Sequence, residues 1–228
     1  LDYFLCYICG KNQVDLGIDR RKLNAEHVFV YSKYWQEFHR KQFGYQDNNQ
    51  TIVGTPDLKN ISSYLNETIT NDEVCYIAQT LVEDGRLNKA SQLEFFANLV
   101  EITSELKLKL VVKLHPRSDK SLFDFSKKYK HVSYVELDLP PSKIYIGHYS
   151  TLLAKPMLKT GCKVVLFEYE CHPTPIYFQQ CSDAVINQYA MIRTELESVK
   201  LRTKEDIRDY FQIGDHYTDK IIHYIIKK

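Results

Sequence analysis

From Val74 onward, short apolar runs alternate with longer amphipathic stretches, and the sharpest run, Leu108-Lys109-Leu110-Val111-Val112-Lys113-Leu114, closes on His115-Pro116-Arg117. Apolar runs of this length read as strands covered on both faces. Strands separated by helices pair through right-handed crossovers into a mostly parallel sheet. The fold class that follows is α/β, built on a Rossmann-like parallel sheet. Such sheets hold their ligands at the carboxyl ends of the strands, which is where His115-Pro116-Arg117 falls.

Residues 74–78, 108–114, 132–135, 144–147 and 163–167 read as the strands. Residues 89–106 read as a helix, with Leu93, Phe96, Ala97 and Val100 on one stripe and Leu99, Ile102 and Leu106 beside it. A short helix is expected over 122–129, another beginning near Ser150, and closing helices over 204–210 and 218–226. Upstream the texture changes: 1–8 and 28–31 read as strands, 33–43 as a helix, and 51–54 as a strand that stops at Thr55-Pro56-Asp57. Pro56 and the polar stretch after it, which has no sustained period, place a domain seam there. Residues 1–58 are then a partial N-terminal α/β segment, and 59–228 the Rossmann-like domain.

Composition narrows the partners. Thirty basic residues against twenty-nine acidic ones give a formal charge of +1, which, local basic patches aside, makes no electrostatic case for nonspecific nucleic-acid binding, and an anionic ligand must be held locally. Six cysteines without an obvious secretory segment favour a reducing compartment over a disulfide scaffold. The first residues lack a methionine and read as a domain start, not a signal peptide, and no run reaches the roughly 18 apolar residues of a membrane span. A cytoplasmic protein is expected, with attachment to the inner face of a membrane left open.

Three clusters can carry chemistry at the expected sheet edge. Glu83-Asp84-Gly85 follows the first strand, and two adjacent carboxylates in a cleft suit a general base, although Asp-Gly is also a common solvated turn. His115 can donate to a phosphate oxygen, Pro116 fixes the chain direction, and Arg117 can add a bidentate contact. Ser150 and Thr151 open a helix, where free amides and two hydroxyls would hold a phosphate; plain capping by Ser150 is the simpler account. Pro156 should kink or shorten that helix. Glu168, at the end of the next strand, is a weaker candidate for binding ribose hydroxyls.

In order, Val53-Gly54-Thr55-Pro56-Asp57, Glu83-Asp84-Gly85, Lys113-Leu114-His115-Pro116-Arg117 and Ser150-Thr151-Leu152-Leu153 resemble the bacterial sialyltransferases and polysialyltransferases of the two-domain GT-B fold. That family is marked by an acidic-acidic-glycine motif, a His-Pro motif and a Ser/Thr pair, and uses CMP-activated sialic acid. The resemblance, over roughly residues 50–170, implies that 59–228 is the C-terminal, nucleotide-sugar-binding half of a GT-B fold. It implies Asp84, with Glu83 as understudy, as base on the acceptor hydroxyl, and His115 as stabiliser of the departing CMP phosphate. Gly85, Pro116, Arg117, Ser150, Thr151 and Glu168 would line the donor site. The implied reaction is an inverting single displacement to a surface-glycan hydroxyl, with a CMP-activated sugar as substrate, no cofactor and no obligatory metal.

A second resemblance competes. Cys6-Tyr7-Ile8-Cys9 followed by Glu26-His27 is similar to the opening of an HNH nuclease, in which His27 would activate water beside a metal. One CxxC supplies only two of the four ligands of tetrahedral zinc, and two small apolar residues near a strand explain the cysteines more simply. A non-catalytic nucleotide-binding module is the third reading. The seventeen tyrosines and eleven phenylalanines are spread along the chain and suit packing better than base stacking. Trp35 with Tyr31, Tyr34 and Phe38 reads as a packed helix face. Cys171-His172-Pro173 is a second, weaker His-Pro pair, placed at the donor rim.

Overall fold

The computed structural model describes residues 25–198, 200–202 and 204–227. The chain divides into two units, Leu1–Pro56 with Asp209–Lys228, and Asp57–Arg208. The strand expected over 1–8, and with it Cys6 and Cys9, lies outside the described residues.

In the first unit β1 (Val28–Val30) and β2 (Gln50–Ile52) pair in parallel, Val28 opposite Gln50. Between them runs α1 (Lys33–Phe43), with the expected bounds; it ends where Gly44 takes a left-handed conformation at φ 77°. Tyr34 meets Tyr210 at 4.7 Å between ring centroids and Trp35 meets Phe38 at 5.5 Å, so the aromatic face of this helix is a packing surface. The closing helix Tyr217–Lys227 also forms. The helix expected over 204–210 is only a 3₁₀ turn, Ile207–Asp209.

The last twenty residues belong to this first unit, where the alternation alone assigned them to the second. Thr55 donates its backbone N–H to Gln212 at 2.8 Å. A Cβ built on Gly54 would stand 2.6 Å from the Ile213 carbonyl oxygen, and one built on Gly214 would stand 2.6 Å from that of Thr55. Only paired glycines permit so close a backbone crossing. A contact between positions some 160 residues apart has no local signature, so the pattern could not reveal it.

The second unit carries α2 (Ile61–Asn66), β3 (Thr70–Ile77), α3 (Lys89–Glu105), β4 (Lys109–Lys113), β5 (Val132–Val135), β6 (Ser142–Gly147), α4 (Ala154–Leu158), β7 (Lys163–Phe167), α5 (Ile176–Cys181), β8 (Ala184–Ile186) and α6 (Tyr189–Glu197). Six strands form one parallel sheet in the order β5-β4-β3-β6-β7-β8. The chain therefore winds outward from β3 in one direction, returns to the middle, and winds outward again from β6. Between β3 and β6 the winding reverses, and the crevice that opens there is the natural ligand site of such a sheet.

Strands β5 and β7 have the expected bounds, because their apolar runs end abruptly. β3 begins four residues early: its first half, Thr70 to Glu73, is polar and exposed or half-buried, and only its second half is buried. The helix expected over 122–129 is a 3₁₀ helix, Lys120–Lys128. α2, α5, β8 and α6 had no counterpart in the pattern; the first three are six, six and three residues long, too short to show a period.

Helix α3 starts at Asn88, whose side chain accepts the Ser91 N–H at 2.8 Å. Its buried face is Phe95, Phe96, Leu99, Val100 and Ile102, packed on Val74, Tyr76, Leu110, Val112, Ile144 and Ile146. The stripe is centred one residue from the expected one, leaving Ala97 exposed and Leu93 half-buried. Each buried Phe or Leu contributes roughly 1.5–3 kcal/mol, enough to hold the sheet and fix its carboxyl edge.

Candidate active site

A cavity of about 390 Å³ opens at that edge, lined from β3 by Ile77 to Leu81 and Asp84, from β4 by Lys113 to Pro116, and from β6 by Tyr149 to Leu152, with Asp57, Arg86 and His172 closing the rim. Three of the motifs singled out in the sequence thus meet at one hollow, beside the point where the winding reverses. Gln79 donates its side-chain N–H to the Tyr149 carbonyl and so ties the end of β3 to the end of β6.

Asp84 sits in a turn whose backbone closes from Asp84 N–H to Thr80 O at 2.8 Å, and Gly85, at φ 68°, supplies the left-handed residue the turn needs. Both carboxylate oxygens are engaged. Arg117 donates to Oδ1 at 3.0 Å and Thr80 donates its hydroxyl to Oδ2 at 3.0 Å, while Arg117 also donates to the Thr80 oxygen at 3.2 Å. Partial burial pushes the Asp84 carboxyl up, but the Arg117 and Thr80 bonds outweigh it and hold it below its ordinary value. Asp84 is ionised at neutral pH.

His115 caps β4, and the Arg117 backbone N–H donates to its Nδ1 at 3.1 Å. That bond leaves Nε2 as the proton-bearing nitrogen of the neutral ring. Burial first, and Arg117 second, lower its proton affinity. The neutral imidazole therefore presents one N–H donor, which suits a phosphate oxygen that gains charge.

Ser150 stands before the 3₁₀ turn Thr151–Leu153 but makes no side-chain capping bond, so the plain capping account does not describe it. Thr151 donates its hydroxyl to Asp57 Oδ2 at 2.6 Å. The helix that was to present free amides is only the 3₁₀ turn and the five-residue α4, because Pro156 lacks an N–H and its ring excludes a continuous helix. Hydroxyls, not a helix dipole, are what these residues bring to the cavity.

Several expected residues fall elsewhere: Gly85 and Arg117 do not line the cavity, Gly85 shaping the turn beside it and Arg117 meeting it through its ion pair with Asp84. Glu83 accepts the Asp119 backbone N–H at 2.5 Å and does not line the cavity, so it braces the loop after β4 instead of standing in for Asp84. Glu168 accepts the Thr174 N–H at 2.6 Å and shapes the loop after β7; it too lies outside the lining. That loop carries His172 to the rim, where its Nε2 has no hydrogen-bond partner among the described residues. The adjacent strand's loop reaching the same edge was the signal that could have raised His172. Lys113, Thr80, Asp57 and Arg86 were missed as site residues, Lys113 because it reads as strand. Its ammonium donates to the Leu114 and Glu136 carbonyls at 3.0 and 2.9 Å, pinning β4 to the chain after β5.

His148 precedes the site but is a core residue. It is fully buried among Tyr76, Phe95, Phe167 and Tyr169, and its Nδ1 donates to the Phe167 carbonyl at 2.9 Å. Burial pushes its pKa down to about 4. In the unfolded chain the ring titrates near 6.5, so as pH falls the unfolded state takes up this proton first. The stability His148 confers by staying neutral is complete above about pH 6.5 and lost progressively toward pH 4. Between pH 7 and 5 the unsubstituted protein should lose about 2 kcal/mol more than His148→Gln in denaturant unfolding. Equal losses in the two proteins would remove His148 as the source.

His27, the water-activating candidate of the nuclease reading, hydrogen-bonds Thr51 Oγ1 through Nε2 at 2.9 Å and stacks on Tyr224 at 3.9 Å between centroids. Its ring is used in packing. Among the described residues no three His, Cys, Asp or Glu side chains gather as a metal site, and no helix is long and apolar enough to cross a membrane.

A six-stranded parallel sheet with its cavity at the reversal point has the architecture of one half of a GT-B fold, a fold shared by many glycosyltransferases. Residues 22–153 match the family model for alpha-2,8-polysialyltransferase (POLYST), a range that contains all four motif segments, and the chain belongs to that glycosyltransferase family. Among solved structures, the chain is similar to the UDP-GlcNAc 2-epimerase of Methanocaldococcus jannaschii in complex with UDP-GlcNAc and UDP, with a TM-score of 0.60 at 12% identity over 90% of this chain and 62% of that one. It is similar to the wall teichoic acid polymerase TagF soaked with CDPG, with a TM-score of 0.54 at 16% identity over 89% and 57%. It also matches the glycotransferase of kitacinnamycin, with a TM-score of 0.52 at 12% identity over 89% and 54%. The chain spans less than two thirds of the length of each of these structures. No curated protein is significantly similar to it in sequence.

Proposed function

We propose that this chain transfers sialic acid or a related acidic sugar from a CMP-activated donor to a hydroxyl of a bacterial surface glycan, inverting the anomeric centre in one displacement that needs no metal. The observation that carries this reading is the meeting of Asp84, His115 and Ser150 at one cavity in a chain of the polysialyltransferase family. Asp84 takes the proton of the acceptor hydroxyl as its oxygen bonds to the anomeric carbon. The bond from that carbon to the phosphate oxygen breaks, and its electron pair leaves with CMP. His115 donates from Nε2 to the oxygen that gains charge, and Arg117 and Ser150 hold the same phosphate. Donors aimed where charge develops lower the barrier more than they tighten the ground state. Pro116 and His172 shape the rim. Four free cysteines among the described residues, three of them buried, support a reducing, cytoplasmic setting, with the inner membrane face as the place where a surface glycan would be met.

The CDPG soaked into TagF keeps a CDP-activated donor as the second reading. Thermal shifts with CMP-sialic acid, a CDP-activated alcohol and UDP-GlcNAc separate the two. A ligand at one hundred times its dissociation constant adds roughly 2.7 kcal/mol, and CMP-sialic acid is expected to give the largest shift. CMP release in the presence of a glycan acceptor, undiminished by EDTA, is expected to follow. A shift without release would leave a binding module, and a shift with UDP-GlcNAc alone would overturn the donor assignment.

A further inference from the structure

We infer that Arg117 is a positioning residue that exchanges Asp84 for the donor phosphate, so that donor binding releases Oδ1 of Asp84 as the oxygen that takes the acceptor proton. The inference rests on the donor and base roles proposed above.

The two oxygens of Asp84 are held differently. Thr80, buried in the cavity wall, donates to Oδ2 at 3.0 Å, and Arg117, whose side chain is 45% exposed, donates to Oδ1 at 3.0 Å. The buried hydroxyl is a fixed anchor and the exposed guanidinium is a movable one. Arg117 lies two residues after His115, and its own backbone N–H orients that ring, so a phosphate held by His115 Nε2 comes within reach of the same guanidinium. Phosphate offers the fork two strong acceptor oxygens where Asp84 offers one.

Once Arg117 turns to the phosphate, Thr80 still fixes the plane of the carboxylate and Oδ1 is open. The influence that then dominates Asp84 is burial, which raises its proton affinity and makes it a better base. The other charged or titratable groups that act on it are Arg86, which lowers its proton affinity, and His115, which it faces across the cavity. A base armed only beside a bound donor leaves the donor-free enzyme with a paired, unreactive carboxylate.

The exchange makes Asp84 a competitor of the donor for Arg117, which a double-mutant cycle reads directly. The probe is CMP-3-fluorosialic acid, a donor analogue that is not transferred, titrated by calorimetry. Asp84→Asn is expected to tighten it about fivefold, the scale of one partly exposed ion pair. Arg117→Gln is expected to weaken it, and Asp84→Asn added to Arg117→Gln to change nothing further. In turnover, the acid limb of kcat should lie at higher pH than that of kcat/KM for the donor in the unsubstituted enzyme, and the two should coincide in Arg117→Gln.

Equal tightening by Asp84→Asn with and without Arg117 would show a through-space charge effect and overturn the exchange. So would coincident acid limbs in the unsubstituted enzyme. No binding of the probe to the unsubstituted protein would overturn the donor reading, and the exchange with it.

Discussion

Asp84→Asn is expected to lower kcat for sugar transfer by about 10²–10⁴-fold without weakening donor binding. Asparagine keeps the shape of the side chain and one oxygen that can still accept from Thr80, its amide nitrogen replaces the oxygen that accepted from Arg117, and the backbone bonds that close the turn at Thr80 and Gly85 are untouched. What it cannot do is take a proton. The carboxylate of Asp84 is the only acidic group of the Glu83-Asp84 pair that lines the cavity, because Glu83 spends its oxygen on the Asp119 backbone. Glu83→Gln is therefore expected to leave kcat within a few-fold of the unsubstituted value. CMP release in steady state, read beside calorimetry with the fluorinated analogue, checks both. An Asp84→Asn enzyme with kcat unchanged would remove the base assignment, and a Glu83→Gln enzyme as impaired as Asp84→Asn would reverse the two roles.

His115→Ala is expected to abolish the thermal shift by CMP and to lower kcat by about 10²–10³-fold, the scale of losing one donor aimed at developing charge. The ring is preorganised: its Nδ1 is occupied by the Arg117 N–H, and Nε2 is left to donate without recruiting a proton from solvent. Lowered proton affinity keeps it neutral, so binding should be insensitive to pH above the ordinary range of histidine titration and change only below it. Alanine removes the donor and the brace on Arg117 together. A persistent CMP shift in His115→Ala, at the affinity of the unsubstituted protein, would place the phosphate elsewhere in the cavity.

Part of this site is legible one strand at a time. The run 108–114 is apolar on both faces and ends in His115-Pro116, so a covered strand delivering an imidazole to a sheet edge follows from local chemistry alone. The same holds for Asp84 in an Asp-Gly turn after an apolar strand. Glu168 shows where local reading stops. It ends a strand at the correct edge, yet its carboxylate turns back to the Thr174 N–H, and the loop it braces brings His172 forward in its place. Lys113 shows the opposite case: a charge inside an apolar run that the fold uses to hold two carbonyls. The helix after Ser150 shortened because Pro156 breaks it, which the sequence displays, but what replaced the lost amides could be seen only with Thr151 on Asp57.

By itself the amino-acid order determined that strands covered on both faces alternate with helices, and which polar residues stand at the strands' carboxyl ends. Local sterics and apolar burial act over a few residues, so they are written in a few residues. Tertiary structure decided that β3 and β6 lie side by side, that Arg117 closes on Asp84 across 33 positions, and that the chain's last segment returns to Thr55. Those contacts follow from the winding of the whole sheet and from backbone pairing between distant positions, whose free energy depends on every element being in place at once.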